Sequence, residues 1–307
     1  MSRRSSRFPE LALLAALALA PREARAQACC AGSSALTPGR LAVHETALVG
    51  GQVRAGYGYG SFDGGGHYAS NPAGAGEVDL EQDVFGALRV LGRGQVALLV
   101  PVVETWRQTR STGGELGGGI GDVNASARWD FVHAGEYAVM PGVGLLAGVT
   151  FPTGKPPEEA DNRLATDATG VGAWQGNVGL AIEQSWKSWL VNVTGILAAR
   201  TPRTVQGIRS ELGTQITTLA AVAYSFEDDS ALALVGSYAF EGDATIDDVS
   251  APGSGRRLLR VSLAGTHPLS DALRLQGSLF VDPPIPQVGQ NQSTTVGLTF
   301  AAIRSWN

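Results

Sequence analysis

Apolar and polar residues alternate along most of the chain beyond residue 43. Between Thr214 and Phe226, for example, one face carries Ile216, Thr218, Ala220, Val222, Tyr224 and Phe226, and these alternate with Thr217, Ala221 and Ser225. A period of two residues is typical of a strand with one apolar face, whereas an amphipathic helix repeats every 3.6 residues. The pattern therefore predicts an all-β chain.

Twelve such segments can be delimited. They are residues 43–61, 77–92, 95–109, 121–133, 136–152, 173–186, 188–201, 212–227, 230–242, 256–267, 271–282 and 292–306. The connections between them alternate between short turns and long loops, which is typical of a transmembrane antiparallel up-and-down β-barrel of about 12 strands. In segment 95–109 both faces are apolar and Pro101 interrupts the run, so its register stays open.

The composition of the chain argues against several other classes of protein. Of 307 residues only 17% are charged, 41 are glycine, and the mean hydropathy is +0.04. A helical membrane protein would show apolar runs of about 20 residues, and the chain has none. A net charge of −5 without a basic patch argues against a nucleic-acid partner.

The N-terminal sequence has the features of an export signal. Arginines at positions 3, 4 and 7 precede an apolar stretch from Leu11 to Ala20, and small residues at 24 and 26 fit a cleavage site. We expect a cleaved signal peptide at 1–26, a short periplasmic tail at 27–42 and the barrel at 43–307. The cysteines, Cys29 and Cys30, are adjacent, and a disulfide between neighbours would close a strained ring, so we interpret this stretch as flexible tail.

Charged residues within the strands are expected to face the barrel interior, because an arginine on the lipid face near mid-bilayer costs about 2–4 kcal/mol. Alternate residues of a strand point to the same side, so the odd or even position of a residue, its strand parity, predicts its face. Strand parity predicts these candidates for lining the lumen: Arg54, Glu81, Asp83, Arg128, Asp130, Glu183, Arg260 and Arg274. The same parity puts Gln52, Asp79, Arg89, Asn124 and Gln276 on the polar side. Two interpretations follow, a polar passage or a static interior filled by arginine–carboxylate pairs.

Motifs for catalysis are not evident. The chain has no Gly-x-Ser-x-Gly, and no histidine is expected at a lipid-facing mid-strand position beside a serine, so we predict no catalytic residue and no enzyme. We also predict no cofactor and no metal site, and we interpret the acidic loop residues as a solvated surface. The glycine-rich run at 117–121 is expected to be a flexible outer loop, since no helix follows that could hold a phosphate.

Two stretches are similar to a known family. Gly119-Ile120-Gly121-Asp122 opens one strand, and Phe151-Pro152-Thr153-Gly154 ends the next. With the entry at Gly170–Gln175, they resemble the outer-membrane "transporter" family named after the meta-pathway of phenol degradation. The resemblance covers about residues 117–186. It implies a Gram-negative outer-membrane barrel whose substrates are largely unestablished, and it carries over no catalytic residue.

We therefore expect a passive outer-membrane channel for small polar or amphipathic molecules. The alternative is a structural or adhesive barrel with an occluded lumen, which works through its long outer loops. Expected partners are outer-membrane lipid, the outer-membrane assembly machinery and a small-molecule solute. The last strand ends at Trp306 with Asn307 beyond it, so its aromatic residue is penultimate rather than terminal.

Overall fold

The computed structural model describes residues 39–205 and 207–307. Twelve strands form a closed antiparallel barrel, in which the last strand pairs with the first. They are β1 (Ala47–Phe62), β2 (Gly76–Val90), β3 (Gly94–Thr109), β4 (Val123–Val132), β5 (Gly142–Phe151), β6 (Gln175–Trp186), β7 (Trp189–Arg200), β8 (Gln215–Ser225), β9 (Ala231–Glu241), β10 (Arg256–Ser270), β11 (Leu273–Val281) and β12 (Gln292–Trp306). The predicted all-β barrel of twelve strands is thus confirmed. No helix within the described residues is long and apolar enough to span a membrane.

The two faces of each strand follow the alternation in the sequence. On β1 the side chains of Val49, Val53 and Tyr57 are exposed on the outside, while Leu48 is buried inside. The outward set on β8 and β9 is equally apolar and exposed, from Ile216 to Phe240. An apolar outside and a mixed inside are what a barrel in lipid requires.

The register of β3 is decided by a change of partner. Residues 94–99 pair with β4, whereas residues 102–109 pair with an extra strand, Gly113–Ile120. Pro101 lies at the change, and its carbonyl accepts a hydrogen bond from Gly121 N–H at 2.9 Å. A proline has no N–H to donate, so the place where the pairing switches is where it is tolerated.

The glycine-rich run at 117–121 is therefore not the flexible outer loop that we expected. Most of it belongs to the Gly113–Ile120 strand, and the loop 152–174 packs against that strand. A Cβ at Gly117 would come within 2.7 Å of the Asp167 backbone nitrogen, and one at Gly118 within 2.4 Å of the Val103 carbonyl oxygen. The glycines permit this close packing, which a propensity argument against glycine in strands does not foresee.

Three more of the predicted long loops also contain strands. In the first, Tyr68–Ser70 pairs with the end of β1. A separate four-stranded sheet is formed by Arg203–Val205, Ile208–Glu211, Ala244–Ile246 and Val249–Ala251, at the end of the barrel that carries the long loops. We call this end of the barrel the long-loop end and the opposite end of the barrel the short-turn end. The segment predicted as strand 136–152 becomes a strand only at Gly142.

Candidate functional site in the barrel interior

The described part of the predicted tail does not lie outside the barrel. Residues 39–46, here called the plug, enter the interior near the short-turn end. The guanidinium of Arg40 makes two hydrogen bonds of 2.5 Å to the Glu183 carboxylate, and Leu41 N–H donates to Gln95 Oε1 at 3.1 Å. Leu41 is buried in an apolar cluster with Leu48, Phe85, Ala87 and Ile303.

Glu45 anchors the other end of the plug. Its carboxylate pairs with Arg274 and accepts a hydrogen bond from Ala42 N–H at 2.7 Å. Arg89 donates to the Glu45 carbonyl oxygen at 2.7 Å. Burial would raise the pKa of Glu45, but the hydrogen bond and charge of Arg274 and the Ala42 N–H together hold that pKa below its ordinary value.

Beside the plug lies a second group of charges on neighbouring strands. Arg128 contacts Asp130 at 2.7 Å and Glu183 at 3.3 Å, and Asn192 donates to Glu183 at 2.8 Å. Glu183 thus receives two arginines, Arg40 and Arg128, and its side chain is only 2% exposed. Buried charges persist when they are paired in this way.

The remaining candidates lie farther towards the long-loop end. Arg54 pairs with Glu81, and Gln52 donates to Asp83 at 2.9 Å. Arg260 binds the buried Asp282, with its two nitrogens 2.7 and 3.0 Å from the carboxylate oxygens. Its guanidinium also lies over the Phe280 ring, 4.5 Å from the centroid.

All eight residues that parity assigned to the lumen thus point inward, and each has a polar partner. The structure does not gather them into one site, because they form three groups along the barrel. Their partner Arg40 was missed because it precedes the first predicted segment, 43–61. Glu45 and Asp282 lie inside predicted segments, but the observed strands begin at Ala47 and end at Val281, and neither residue was named as a candidate.

Two cavities lie on either side of Arg40. The inner cavity, of about 380 Å³, is bordered by Gly39 and Arg40 of the plug. Its wall combines apolar residues such as Leu146 and Ile196 with carboxamides. The carboxamides are those of Gln95, Asn124, Gln175, Asn177, Asn192 and Gln215. The second cavity, of about 410 Å³, lies towards the short-turn end and is lined by Arg40, Leu41 and the turn at 133–136.

The two stretches that resemble family motifs meet in space. The Asp122 carboxylate accepts hydrogen bonds from Gly154 N–H at 2.9 Å and Val171 N–H at 2.7 Å. Thr153 Oγ1 donates to the Gly121 carbonyl oxygen at 2.6 Å and accepts from Val123 N–H at 3.0 Å. These bonds hold the loop 152–174 against the junction between the extra strand and β4.

A serine and a histidine do come together, but at the end of a strand rather than in its middle. Ser230 Oγ lies 2.7 Å from His267 Nδ1 on the outer face, at the short-turn end of β10. The Asp228 carboxylate accepts from Ser230 Oγ at 3.0 Å and from Ser230 N–H at 3.0 Å, and these hydrogen bonds lower the pKa of Asp228. A hydroxyl that donates to an aspartate is not activated by the histidine, so this geometry does not make a nucleophile. Within the described residues no three His, Cys, Asp or Glu side chains converge as metal ligands.

Comparison with solved structures shows the fold. The chain is similar to the COG4313 outer membrane channel from Pseudomonas putida F1, with a TM-score of 0.71 and 14% sequence identity over 85% of this chain and 96% of that one. The β domain of the Bordetella autotransporter BrkA is 8% identical, with a TM-score of 0.49 over 85% of this chain and all of that one. No family model and no curated protein matches the sequence. The fold is that of an outer-membrane β-barrel.

Proposed function

We propose that this protein is an outer-membrane channel for small polar or amphipathic molecules, closed in this structure by the plug. The observation that carries the proposal is the position of Arg40, which borders both cavities. Two spaces of about 380 and 410 Å³ inside one barrel are separated by a short segment rather than by the strands themselves. Displacement of the plug would join these two spaces.

The outside of the barrel supports a location in the Gram-negative outer membrane, with lipid and the outer-membrane assembly machinery as partners. Exposed aromatic side chains lie near strand ends, where they suit the two membrane interfaces. Trp189 and Tyr224 contact edge to face at the short-turn end, with ring centroids 5.0 Å apart, and Phe151 and Trp174 do so at the long-loop end, at 5.1 Å. The motif resemblance and the shared fold support membership of the meta-pathway "transporter" family.

The lining of the inner cavity supports the solute class. Carboxamides and hydroxyls offer neutral donors and acceptors for a polar solute. Apolar side chains such as Leu146 and Ile196 complete the wall, which is the usual mixture for a small-molecule site. The eight charged residues that face the interior would screen solutes by charge along the way.

Conductance in planar bilayers tests the proposal. Arg40→Ala removes the contact with Glu183 and should raise the open probability or the unit conductance above that of the wild type. Arg93→Ala, which removes an exposed pair with Glu136 in the short-turn region, is the matched control and should leave conductance unchanged. Correctly folded protein, verified by heat-modifiable gel mobility, that stays silent with and without Arg40 would refute an ion-conducting channel.

A structural or adhesive barrel is the second candidate, and the four-stranded sheet at the long-loop end favours it. That sheet lies outside the barrel wall and presents exposed Ile208 and Val249. The second candidate gains support if the bilayer is silent and removal of residues 244–251 abolishes a cell-surface phenotype without affecting barrel assembly.

A further inference from the structure

One wall of the lumen is acidic. Strand β2 places Glu77, Asp79, Glu81 and Asp83 on its inward face, because alternate residues of a strand share a face. Successive carboxylates along the strand are about 6–7 Å apart. The series runs from the long-loop end to Asp83, and the next inward residue, Phe85, packs against the plug.

Neutralisation of this wall is incomplete. Arg107 pairs with Glu77 at 3.1 Å, and Arg54 pairs with Glu81. Among the described residues, the side-chain hydrogen bond to the Asp79 carboxylate comes from the Thr105 hydroxyl, at 2.8 Å, and the one to Asp83 comes from the Gln52 amide, at 2.9 Å. None of the salt bridges among the described residues includes Asp79 or Asp83, so four carboxylates and two arginines leave a net charge of −2.

The carboxylates elsewhere in the interior differ. Asp282 has Arg260 at 2.7 Å, Glu241 has Arg200 at 2.6 Å, and Glu183 has two arginines. Of these interior carboxylates, the ones without an arginine partner therefore lie on β2.

Asp83 supplies an independent observation. The residue is 3% exposed, and its Oδ1 has no hydrogen-bond partner among the described residues. A buried carboxylate oxygen without a donor is costly, and a cationic donor beside it would lower that cost. Next to it the Arg54–Glu81 pair is open to the lumen, with side-chain exposures of 38% and 25%.

We propose that the inward face of β2, from Glu77 to Asp83, is a binding track for solutes that carry an ammonium group, with Asp83 and Glu81 as its innermost site. An ammonium group brings three N–H donors and a positive charge, which are what the free Asp83 oxygen and the unbalanced wall lack. A metal ion fits less well, because no three acidic, histidine or cysteine ligands converge in the described residues. The role of this track in solute passage rests on the channel function proposed above.

Equilibrium binding tests the track without requiring conduction. Saturation-transfer NMR of the detergent-extracted protein is recorded with propylammonium and, as its neutral counterpart, with propanol. We expect contact signals from propylammonium that exceed those from propanol, and a loss of roughly tenfold in affinity on Asp83→Asn. Asp79→Asn should weaken binding less, and Asp229→Asn, in an exposed turn, should leave it unchanged. Gel mobility verifies that each variant is folded.

Reversal potentials in a KCl gradient separate the track from the channel. Cation selectivity that falls in the Asp79→Asn/Asp83→Asn double variant supports both. Propylammonium binding that depends on Asp83, in protein that never conducts, supports the track and refutes passage. Conduction with unchanged selectivity and no Asp83-dependent binding refutes the track and leaves the channel intact. Binding of Ca²⁺ instead of propylammonium, lost on Asp83→Asn, would overturn the ammonium assignment.

Discussion

The two halves of the barrel interior are built from the same alternating strands, yet one is filled and the other is open. At the short-turn end the plug brings its own charges, Arg40 and Glu45, and each meets an opposite charge of the wall. Towards the long-loop end no segment of the described chain fills the centre, so amides line a cavity and Asp83 Oδ1 has no partner among the described residues. A charged barrel interior therefore becomes static only where a second segment supplies the matching charges.

The largest effect is expected from Glu183→Leu, which breaks the filled half. The change leaves Arg40 and Arg128 buried without their shared carboxylate, and removal of one member of a buried pair costs about 3–5 kcal/mol. The free energy of unfolding from urea titrations, followed by gel mobility, measures it. Glu136→Gln, at an exposed pair in the short-turn region, should change little. Equal midpoints for the two variants would contradict the role of Glu183.

The second prediction concerns the outside of the barrel, at Leu263 of β10, which is 47% exposed on the apolar face. Leu263→Arg should destabilise the protein by about 2–4 kcal/mol, because the charge is placed in the lipid region. Leu269→Arg, near the strand end, should cost at most about 1 kcal/mol. The free energy of unfolding in lipid vesicles is measured for both variants. A larger loss of stability for Leu269→Arg would contradict the conclusion that Leu263 lies nearer the middle of the bilayer.

The third prediction tests the open half at Arg260. From strand parity alone, Arg260→Leu would leave folding nearly intact. The structure changes this expectation, because Asp282 is fully buried beneath Arg260 and would lose its partner. We expect a loss of about 1–3 kcal/mol in the single variant, reduced when Asp282→Asn is added. Strict additivity of the two changes in a double-mutant cycle would show that the pair does not interact.

The smallest expected effect is a pH dependence at the plug. The pKa of Glu45 is lowered in the folded protein, so its contribution to stability is present above its ordinary pKa of about 4.5 and is lost as pH falls through the lower, folded value. The urea midpoint of the wild type should therefore decline below about pH 4.5 more steeply than that of Glu45→Gln. Parallel pH profiles would exclude Glu45 as the group responsible.

Some residues were placed correctly by their sequence neighbourhood. Leu263 and Arg260 are separated by three positions on one strand, and the structure puts them on opposite faces of β10. Arg128 and Asp130 share a face because they are two residues apart. Such assignments need only the geometry of an extended chain, which side chains a few residues away already define.

Other features had no local signal. The Gly113–Ile120 strand was expected to be a loop, since its glycines have low strand propensity and only the packing of loop 152–174 makes them necessary. Whether Asp83 Oδ1 has a partner likewise depends on which hydrogen-bond donors the neighbouring strands place beside it. Strand parity predicts the face of a residue but not its hydrogen-bond partners.

Alternation and loop lengths along the chain were sufficient for the strand number, the antiparallel order and the face of the side chains in strands with a clear period of two, because these depend on that period and on chain connectivity. The pairing of Arg40 with Glu183, 143 residues away, and of Glu45 with Arg274, 229 residues away, was not accessible in this way. Such contacts depend on barrel closure and on the path of the plug across the interior. Closure joins β1 to β12 and sets how far each strand is shifted against the next. Such a shift between strands cannot be inferred from the sequence of one strand.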